Sequence, residues 1–356
     1  MKESELESIF RRKVESRPDL YGPLRIEGGY GRQRQSVGGL EKGSVIVELR
    51  WGGRCFKGEV EIVGSATPRR IRGVAGRLSE ASTLPEKEVE PLVLVPYLSD
   101  GIARELERAA VSGVDLNGNY MLLGADLVGV RRDQPNDYPM SRDIKKVYSL
   151  NSSIVGRFLL REDRVHRQVT EIHEEIEAYG GGISLSTVSK VLKRFDEDLL
   201  ISKQRGEIKL LQPTTLLDRL RSGYRAPRVG RTLRLKLPKS DRGELLSKAL
   251  GQEWVWSGET SSGRYAITTP PQTWVAYALP SAMVERLADY EDRRFYNCLL
   301  QISDDRFIYF DSRQEGFDRW VSPVEAYLAM SKLDKREKDV ARSIREKTIL
   351  TEFEDA

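Results

Sequence analysis

The sequence predicts a multidomain chain that mixes α/β and α+β architecture. Three observations carry this. The 356 residues are 39% hydrophobic and 31% charged, enough apolar material for cores in two or three domains of about 100–200 residues each. Residues 44–123 run strand, strand, helix, strand, helix, strand, the order of a small α/β layer. Residues 150–211 instead pass through three short amphipathic helices into an alternating hairpin, and the remainder returns to interleaved strands and helices.

The first part spans residues 1–148. Leu6, Ile9, Phe10 and Val14 recur at helical spacing, which predicts a helix within 1–20. The Gly/Arg-rich stretch EGGYGRQRQSVGG (27–39) reads as a loop. SVIVELRW (44–51) and RCFKGEVEIVG (54–64) alternate with period two about Gly52-Gly53, which predicts a hairpin. Pro68–Leu78 reads as a short basic helix, and LVLVPYL (92–98) as a strand buried on both faces. Ile102–Ala110 reads as a helix, and GVDL (113–116) and YMLL (120–123) as short strands around Asn117-Gly118.

The second part spans 150–222. Ser152 or Ser153 caps a helix with Ile154, Val155, Phe158 and Leu159 on one side. A second helix carries Val169, Ile172 and Ile176 and stops at Gly180-Gly181-Gly182. A third opens at Ser184 or Ser186 and runs to about Leu200, with Leu185, Val188, Leu192, Phe195 and Leu199 as its apolar stripe. ISKQ and EIKLL then flank Arg205-Gly206 as two short strands. Three helices, a tight turn between the second and third, and a terminal hairpin predict a winged helix-turn-helix. At about 100° per residue, Ser186, Lys190, Lys193 and Arg194 cluster opposite the stripe, with Thr187 beside them and Ser184 and Ser189 completing the hydroxyl set. Hydroxyls and cations on one helix face are what reaching base edges and phosphates requires. Lys203, Arg205 and Lys209 mark the hairpin as a wing suited to a DNA backbone or minor groove. From Arg219 to Arg242 there are nine Lys/Arg and one acid, Asp241. That stretch is either a solvated linker or a strap adding phosphate contacts, each steepening the log–log salt dependence by about 0.9.

The third part spans 228–356. TLRLKLP (232–238), TWVAYAL (273–279), NCLLQI (297–302) and FIYFD (307–311) read as strands, and EWVWSGETSSGRYAI (253–267) as a strand, a turn and the start of a further element. Glu244–Leu250, a helix opened by Pro323 (VEAYLAMSKL) and the charged Lys335–Lys347 complete an α+β domain. Trp254, Trp256, Trp274 and Trp320 read mainly as core residues, with a partner surface as the functional alternative.

Composition excludes several classes. Cys55 and Cys298 cannot form a disulfide framework or a cysteine-rich zinc module. His166 and His173 lie seven apart with no nearby third ligand, so no metal site is expected from them. The glycines of GGYG (28–31) and YGGG (179–182) match no phosphate-binding pattern, so nucleotide hydrolysis is unsupported, and no cofactor is expected. No run approaches the roughly 18–20 apolar residues of a membrane span, and the start MKESELESIFRRKVESRPDL lacks the apolar centre of a signal peptide. A soluble, cytoplasmic chain without membrane contact is expected. The net charge of +4 permits a polyanionic partner without requiring one.

Four stretches carry a resemblance: VLVPYLS (93–99), GVDLNGNYML (113–122), SLSTVSKVLKRFDEDLLI (184–201), and WSGETSS with SPVEAYLAM (256–262 and 322–330). Together they resemble the AbiEi transcriptional-regulator antitoxins of type IV toxin–antitoxin, or abortive-infection, systems, in the branch with a degenerate PD-(D/E)xK nuclease-like N-terminal domain. The resemblance covers most of residues 40–347. It implies a restriction-endonuclease-like α/β domain (1–148), a DNA-binding winged domain (150–222) and a C-terminal α+β domain (228–356) for partner or oligomer contacts. It also implies an autorepressor on its own promoter, and a neighbouring nucleotidyltransferase-like toxin that it counteracts. A single winged helix reads few base pairs, so binding as a homo-oligomer to an inverted repeat of double-stranded DNA is expected, with the protein nucleoid-associated.

The enzymatic alternative is a PD-(D/E)xK nuclease delivered to DNA by the winged helix. Such a site needs an aspartate and a glutamate on a metal, with a lysine two residues on. The hairpin offers Glu48, Lys57, Glu59 and Glu61, but the position two after Glu61 is Val63 and that after Glu59 is Glu61. Arg69 and Arg70 would serve only by folding back. The expectation is a retained fold without catalysis. Asp115 with Asn117 and Asn119 reads as a turn whose aspartate caps backbone amides, and Asp304-Asp305 as a hairpin turn.

Overall fold

A computed structural model describes residues 1–37, 40–82, 89–124, 127–138, 147–204 and 206–353. The chain forms two compact units, Met1–Ser141 with Glu197–Leu199, and Arg142–Asp196 with Leu200–Ala356. Its class is mixed α/β and α+β, multidomain. Among the described residues, no helix is long and apolar enough to cross a membrane.

In the first unit α1 (Glu3–Ser16) precedes a seven-stranded sheet whose strands lie side by side in chain order. These are β1 (Arg25–Val37), β2 (Leu40–Trp51), β3 (Arg54–Ile62), β4 (Val89–Val95), β5 (Ser112–Asp115), β6 (Tyr120–Gly124) and β7 (Leu127–Arg131). Between β3 and β4 lies α2 (Pro68–Ser82), and between β4 and β5 lies α3 (Asp100–Arg108); both strand pairs are parallel, as helical crossovers demand. The flanking pairs are antiparallel. Leu6, Phe10 and Val14 of α1 pack with Val47, Val60, Leu92 and Leu94 on one sheet face. Ile71, Val74, Ile102 and Leu106 of α2 and α3 pack with Val93 and Val95 on the other. The LVLV run is therefore buried on both faces.

One expectation here needs correction, and one strand escaped the sequence. The stretch 27–39 is not a loop: β1 runs to Val37 and pairs with β2, with a register shift between Gly28 and Arg32. The shift breaks the period-two pattern by which a strand is recognised; Gly38 and Gly39 lie outside the described residues. β7 gave no core signal because its valines, Val128 and Val130, are exposed.

In the second unit a 3-10 turn (Leu150–Ser153) leads into α4 (Ile154–Leu159), followed by α5 (Val169–Ala178), α6 (Leu185–Glu197) and the hairpin β8 (Ile201–Gln204) and β9 (Glu207–Leu210). Then come α7 (Pro213–Gly223), β10 (Arg231–Leu235), α8 (Arg242–Leu250), β11 (Trp254–Trp256), α9 (Gly258–Tyr265), β12 (Trp274–Ala278) and β13 (Cys298–Ile302). β14 (Arg313–Glu315), β15 (Asp318–Trp320), α10 (Pro323–Met330), α11 (Lys335–Ile344) and a π-helical turn (Arg345–Ile349) complete it. β10–β15 form one sheet in the order β10-β13-β12-β11-β15-β14.

One core runs from the helical segment into the C-terminal part: Phe158, Leu192, Phe195 and Leu217 belong to it together with Phe307, Phe310, Tyr327 and Ile344. At its centre Arg157 of α4 and Glu325 of α10 pair at 2.7 Å, each only 2% exposed. Tyr224 Oη donates to the second Glu325 oxygen at 2.9 Å, and Arg157 Nε donates to Ser153 Oγ at 3.0 Å. Burial pushes the Glu325 carboxyl upward, opposed by the Arg157 charge. This shared core explains two further corrections. FIYFD is not a strand: Arg306–Ile308 is a 3-10 turn that drives Phe307, Ile308 and Phe310 into the core. Asp305 is not a hairpin-turn residue but an anchor, 1% exposed, accepting from Arg228 N at 2.8 Å and Arg228 Nη2 at 2.9 Å. The Arg219–Arg242 stretch is accordingly no linker, since it holds the end of α7, the Arg228 anchor and β10. The charged C-terminal helix ends at Ile344, and Arg345–Lys347 fall in the π-helical turn.

Candidate nucleic-acid interface

The α5–α6 turn explains how α6 is presented. Gly180 and Gly182 have φ of +78° and +60°, conformations that favour glycine, and a Cβ on Gly181 would lie 2.2 Å from Ile176 Cγ2. Gly181 N closes the helix end on Ile176 O at 2.9 Å. Side chains of α5 hold the segment beyond: Ile183 N donates to Glu177 at 2.9 Å, and His173 Nε2 sits 2.9 Å from Ile183 O. His173 is thus a clamp on the turn. The C-terminal part braces the same turn, with Asp311 N donating to Tyr179 O at 3.1 Å and the Arg161 guanidinium, paired with Asp311 at 3.0 Å, lying 3.6 Å from the Tyr179 ring centre.

On α6, Val188, Val191, Leu192 and Phe195 are buried. Ser186, Ser189, Lys190 and Lys193 are exposed on the opposite side, within about 100° of arc. Thr187 and Arg194 are half-buried at the flanks. Three details differ from the sequence reading. Leu185 is 41% exposed and outside the stripe. Leu199 lies past the helix end, with φ +60°. Ser184 caps the helix, its Oγ accepting from Thr187 N at 3.3 Å and lying 3.0 Å from both Ser186 Oγ and Thr187 Oγ1, so its hydroxyl is engaged locally. The wing carries Lys203 and Lys209, both exposed; Arg205 lies outside the described residues. Lys190, Lys193, Lys203 and Lys209 form no ion pair among the described residues. A third strand element escaped the sequence: His166 pairs with Ile208 through His166 N→Ile208 O at 2.9 Å and Ile208 N→His166 O at 2.7 Å, widening the wing sheet. A one-residue bridge has no periodicity to read.

His166 also belongs to a cluster with Glu171 and Glu175, whose ligand atoms lie within 4.8 Å of one another. Arg164 sits among them, bonded to Glu175, 3.2 Å from His166 Nδ1 and 3.8 Å from Glu171. One Glu171 oxygen is taken up by Arg167 N at 2.9 Å. The guanidinium thus neutralises the cluster from within. Burial, and then Arg164, hold the His166 imidazole below its usual pKa.

In the first unit the register of β2 and β3 places Glu48, Lys57, Glu59 and Glu61 on one sheet face. Glu48 faces Lys57 in register across β2 and β3, and Glu61 pairs with Arg77 of α2 at 3.0 Å. Arg70 does not fold back to this face; it pairs with Glu3 at 2.6 Å. Among the described residues, Glu48, Glu59 and Glu61 do not bring three carboxylate oxygens within ligand distance of one another. Asp115 is fully buried and accepts from Leu98 N, Asn117 N, Asn119 N and Asn119 Nδ2 at 2.7–3.0 Å. Asn119 exchanges bonds with Gln134 N and O, Asn117 with Asp137 N and Pro96 O, and a Cβ at Gly118 would meet Leu20 O at 2.4 Å.

The C-terminal signatures are helix starts. Ser257 caps α9 through Thr260 N, and Gly258 lets α9 approach Ala329 of α10. Ser322 caps α10 with Pro323 in its first turn. Trp254 and Trp256 are fully buried, with rings 5.0 Å apart, and Trp274 packs edge-on to Trp256 at 4.8 Å. Burial pushes the Cys298 thiol up to about 12, while Cys55 is exposed.

No family model and no curated protein matches the chain. A solved structure described as EndoMS in apo form is similar over 32% of this chain and 46% of its own, at 22% identity and a TM-score of 0.18. The match spans under half of that protein, and a TM-score of this size carries no argument about fold or function.

Proposed function

We propose that the chain is a sequence-specific DNA-binding transcriptional regulator, and more narrowly an autorepressing antitoxin of the AbiEi kind. The observation that carries the reading is the α6–wing surface: among the described residues, Lys190, Lys193, Lys203 and Lys209 stand exposed and without ion-pair partners beside the hydroxyls of Ser186 and Ser189. A cation left unneutralised in the free protein is available to displace counterions from phosphate. In this reading α6 enters the major groove, with Ser186, Ser189 and Lys190 towards base edges and Lys193 and the wing lysines on phosphates. The narrower assignment, with its promoter, its oligomer and its toxin partner, rests on the resemblance of the four sequence stretches.

The test is a gel-shift titration of the full chain on its own upstream region against a scrambled duplex, first in EDTA and then in magnesium. The expected result is a discrete shift on the upstream duplex alone, with intact DNA in magnesium. Equal binding to the scrambled duplex would overturn sequence-specific recognition. Degradation in magnesium but not in EDTA would make the chain a nuclease and return the Glu48–Glu59–Glu61 face to the centre of its chemistry.

A further inference from the structure

A second basic surface lies at the β10 edge of the six-stranded sheet. Leu233, Leu235 and Leu237 turn inward and are buried, while Thr232, Arg234 and Lys236 turn outward and are exposed. The segment 290–297 wraps this strand. Lys236 N donates to Tyr290 O at 2.8 Å, Asp292 N to Arg234 O at 2.9 Å, and the Asn297 amide closes both Leu237 N and Leu237 O at 2.9 and 2.8 Å. Asp292 accepts from Arg294 N and Phe295 N, each at 2.9 Å, so the loop between these anchors is held in one shape. What it presents is unusual for a surface: Phe295 is 70% exposed and Tyr296 36%. Lys236 Nζ lies 5.5 Å from the Phe295 ring centre, and Arg234 Cζ 5.7 Å from that of Tyr296. Arg293 and Arg294 are exposed beside them.

The charges do not cancel. Glu291 approaches Arg231 at 3.8 Å, and Asp292, whose Oδ1 accepts two backbone amides, offsets part of the Lys236 charge, leaving four local cations facing one shared carboxylate. Arg234, Lys236, Arg293 and Arg294 have no ion-pair partner among the described residues. A ring face beside an exposed cation gives modest attraction and leaves the positive charge in place. Two exposed rings among four exposed cations without ion-pair partners among the described residues, on a loop anchored at both ends, provide stacking platforms and phosphate partners together. Unpaired nucleic acid offers both matching groups, a π face on every base and a charge on every phosphate. A duplex hides its base faces, and an acidic peptide has none.

We infer that Arg234, Lys236, Arg293 and Arg294 with Phe295 and Tyr296 form a binding surface for single-stranded nucleic acid, separate from α6 and its wing. Bases stack on the two rings, the cations hold the backbone, and sequence preference is weak. The surface would engage a strand opened or transcribed near a bound duplex.

The experiment is fluorescence anisotropy of the full chain with labelled 20-nucleotide oligo-dT and oligo-U, with polyglutamate as competitor. Wild type is expected to bind one or both oligonucleotides, and which one it prefers separates DNA from RNA. Phe295→Ala/Tyr296→Ala should weaken that binding by roughly ten-fold or more while leaving any gel shift on the upstream duplex unchanged. Arg293→Glu/Arg294→Glu should weaken it and flatten its salt dependence. All four side chains are exposed, so thermal melts should match wild type. No oligonucleotide binding, equal affinity in the aromatic double variant, or competition by polyglutamate as strong as by unlabelled oligonucleotide would each overturn the proposal. Loss of the duplex shift in wild type would strike the α6 reading alone, and loss of oligonucleotide binding this one alone.

Discussion

The Asp115-Leu116-Asn117-Gly118-Asn119 turn and the Ser186–Lys193 face of α6 are equally rich in polar side chains in the sequence, and they end in opposite states. In the turn the side chains point inward and are used up: Asp115 takes four donors, and Asn117 and Asn119 bond to the segments around Pro96, Gln134 and Asp137. On α6 the hydroxyls and lysines point outward, and Lys190 and Lys193 stay unpaired among the described residues. Hydrogen-bond saturation therefore separates a group that builds the fold from one left free for a partner. A buried donor stripped of its acceptor carries the whole desolvation penalty, whereas an exposed lysine loses little when removed.

The largest effect should come from the saturated turn. Asp115→Ala leaves three buried backbone amides without an acceptor and should destabilise the chain by about 3–6 kcal/mol in urea unfolding; a loss below about 1 kcal/mol would break the comparison. The Arg157–Glu325 pair is the same case inside the second unit. Glu325→Leu alone should cost about 3–5 kcal/mol, and adding Arg157→Met should recover much of it, because the lone buried charge is what destabilises. Failure of the double variant to recover would show that Ser153 and Tyr224 make the network indispensable.

The open face should behave in the reverse way. Lys190→Ala/Lys193→Ala should change stability by no more than about 0.5 kcal/mol, yet weaken duplex binding at least ten-fold and lower the log–log salt slope by about 0.9 for each phosphate no longer neutralised. Unchanged affinity would remove α6 from the interface. The smallest effect concerns His166. Its folded-state pKa is lowered by burial, so the unfolded chain takes up the proton first. Stability should be full above about pH 6.5 and decline as the pH falls below it towards the lowered value. His166→Gln should flatten that decline in thermal melts followed from pH 7 to 5; an identical slope would show that Arg164 and the two glutamates compensate the charge.

Much of the fold was legible locally. The doubly buried strand β4, the α5–α6 turn with its three glycines and the β8–β9 hairpin each carry a short-range signature: an unbroken apolar run, a helix stop, an alternation about Arg205-Gly206. What stayed illegible had none. β1 lost its alternation at a register shift, β7 directs its valines to solvent, and His166 joins the wing sheet through one residue. FIYFD looked like a strand because a run of apolar residues fits a core strand and a core-plugging turn equally well. Which polar residues remain available was also hidden. Ser184 proved to be a cap, Arg194 half-buried and Asp305 an anchor for Arg228.

The sequence by itself determined the class of the segments with an unbroken periodicity, the turn glycines and the identity of the cationic face, because those depend on φ/ψ preferences and on the 3.6- and two-residue periods of neighbouring side chains. Only the tertiary structure decided that the winged segment and the C-terminal part share one core around Arg157 and Glu325. It alone decided which four donors Asp115 takes, and that Phe295 and Tyr296 stand in solvent beside cations with no ion-pair partner among the described residues. The reason is distance along the chain. Arg157 and Glu325 are 168 residues apart, and nothing in the local pattern of either records the other.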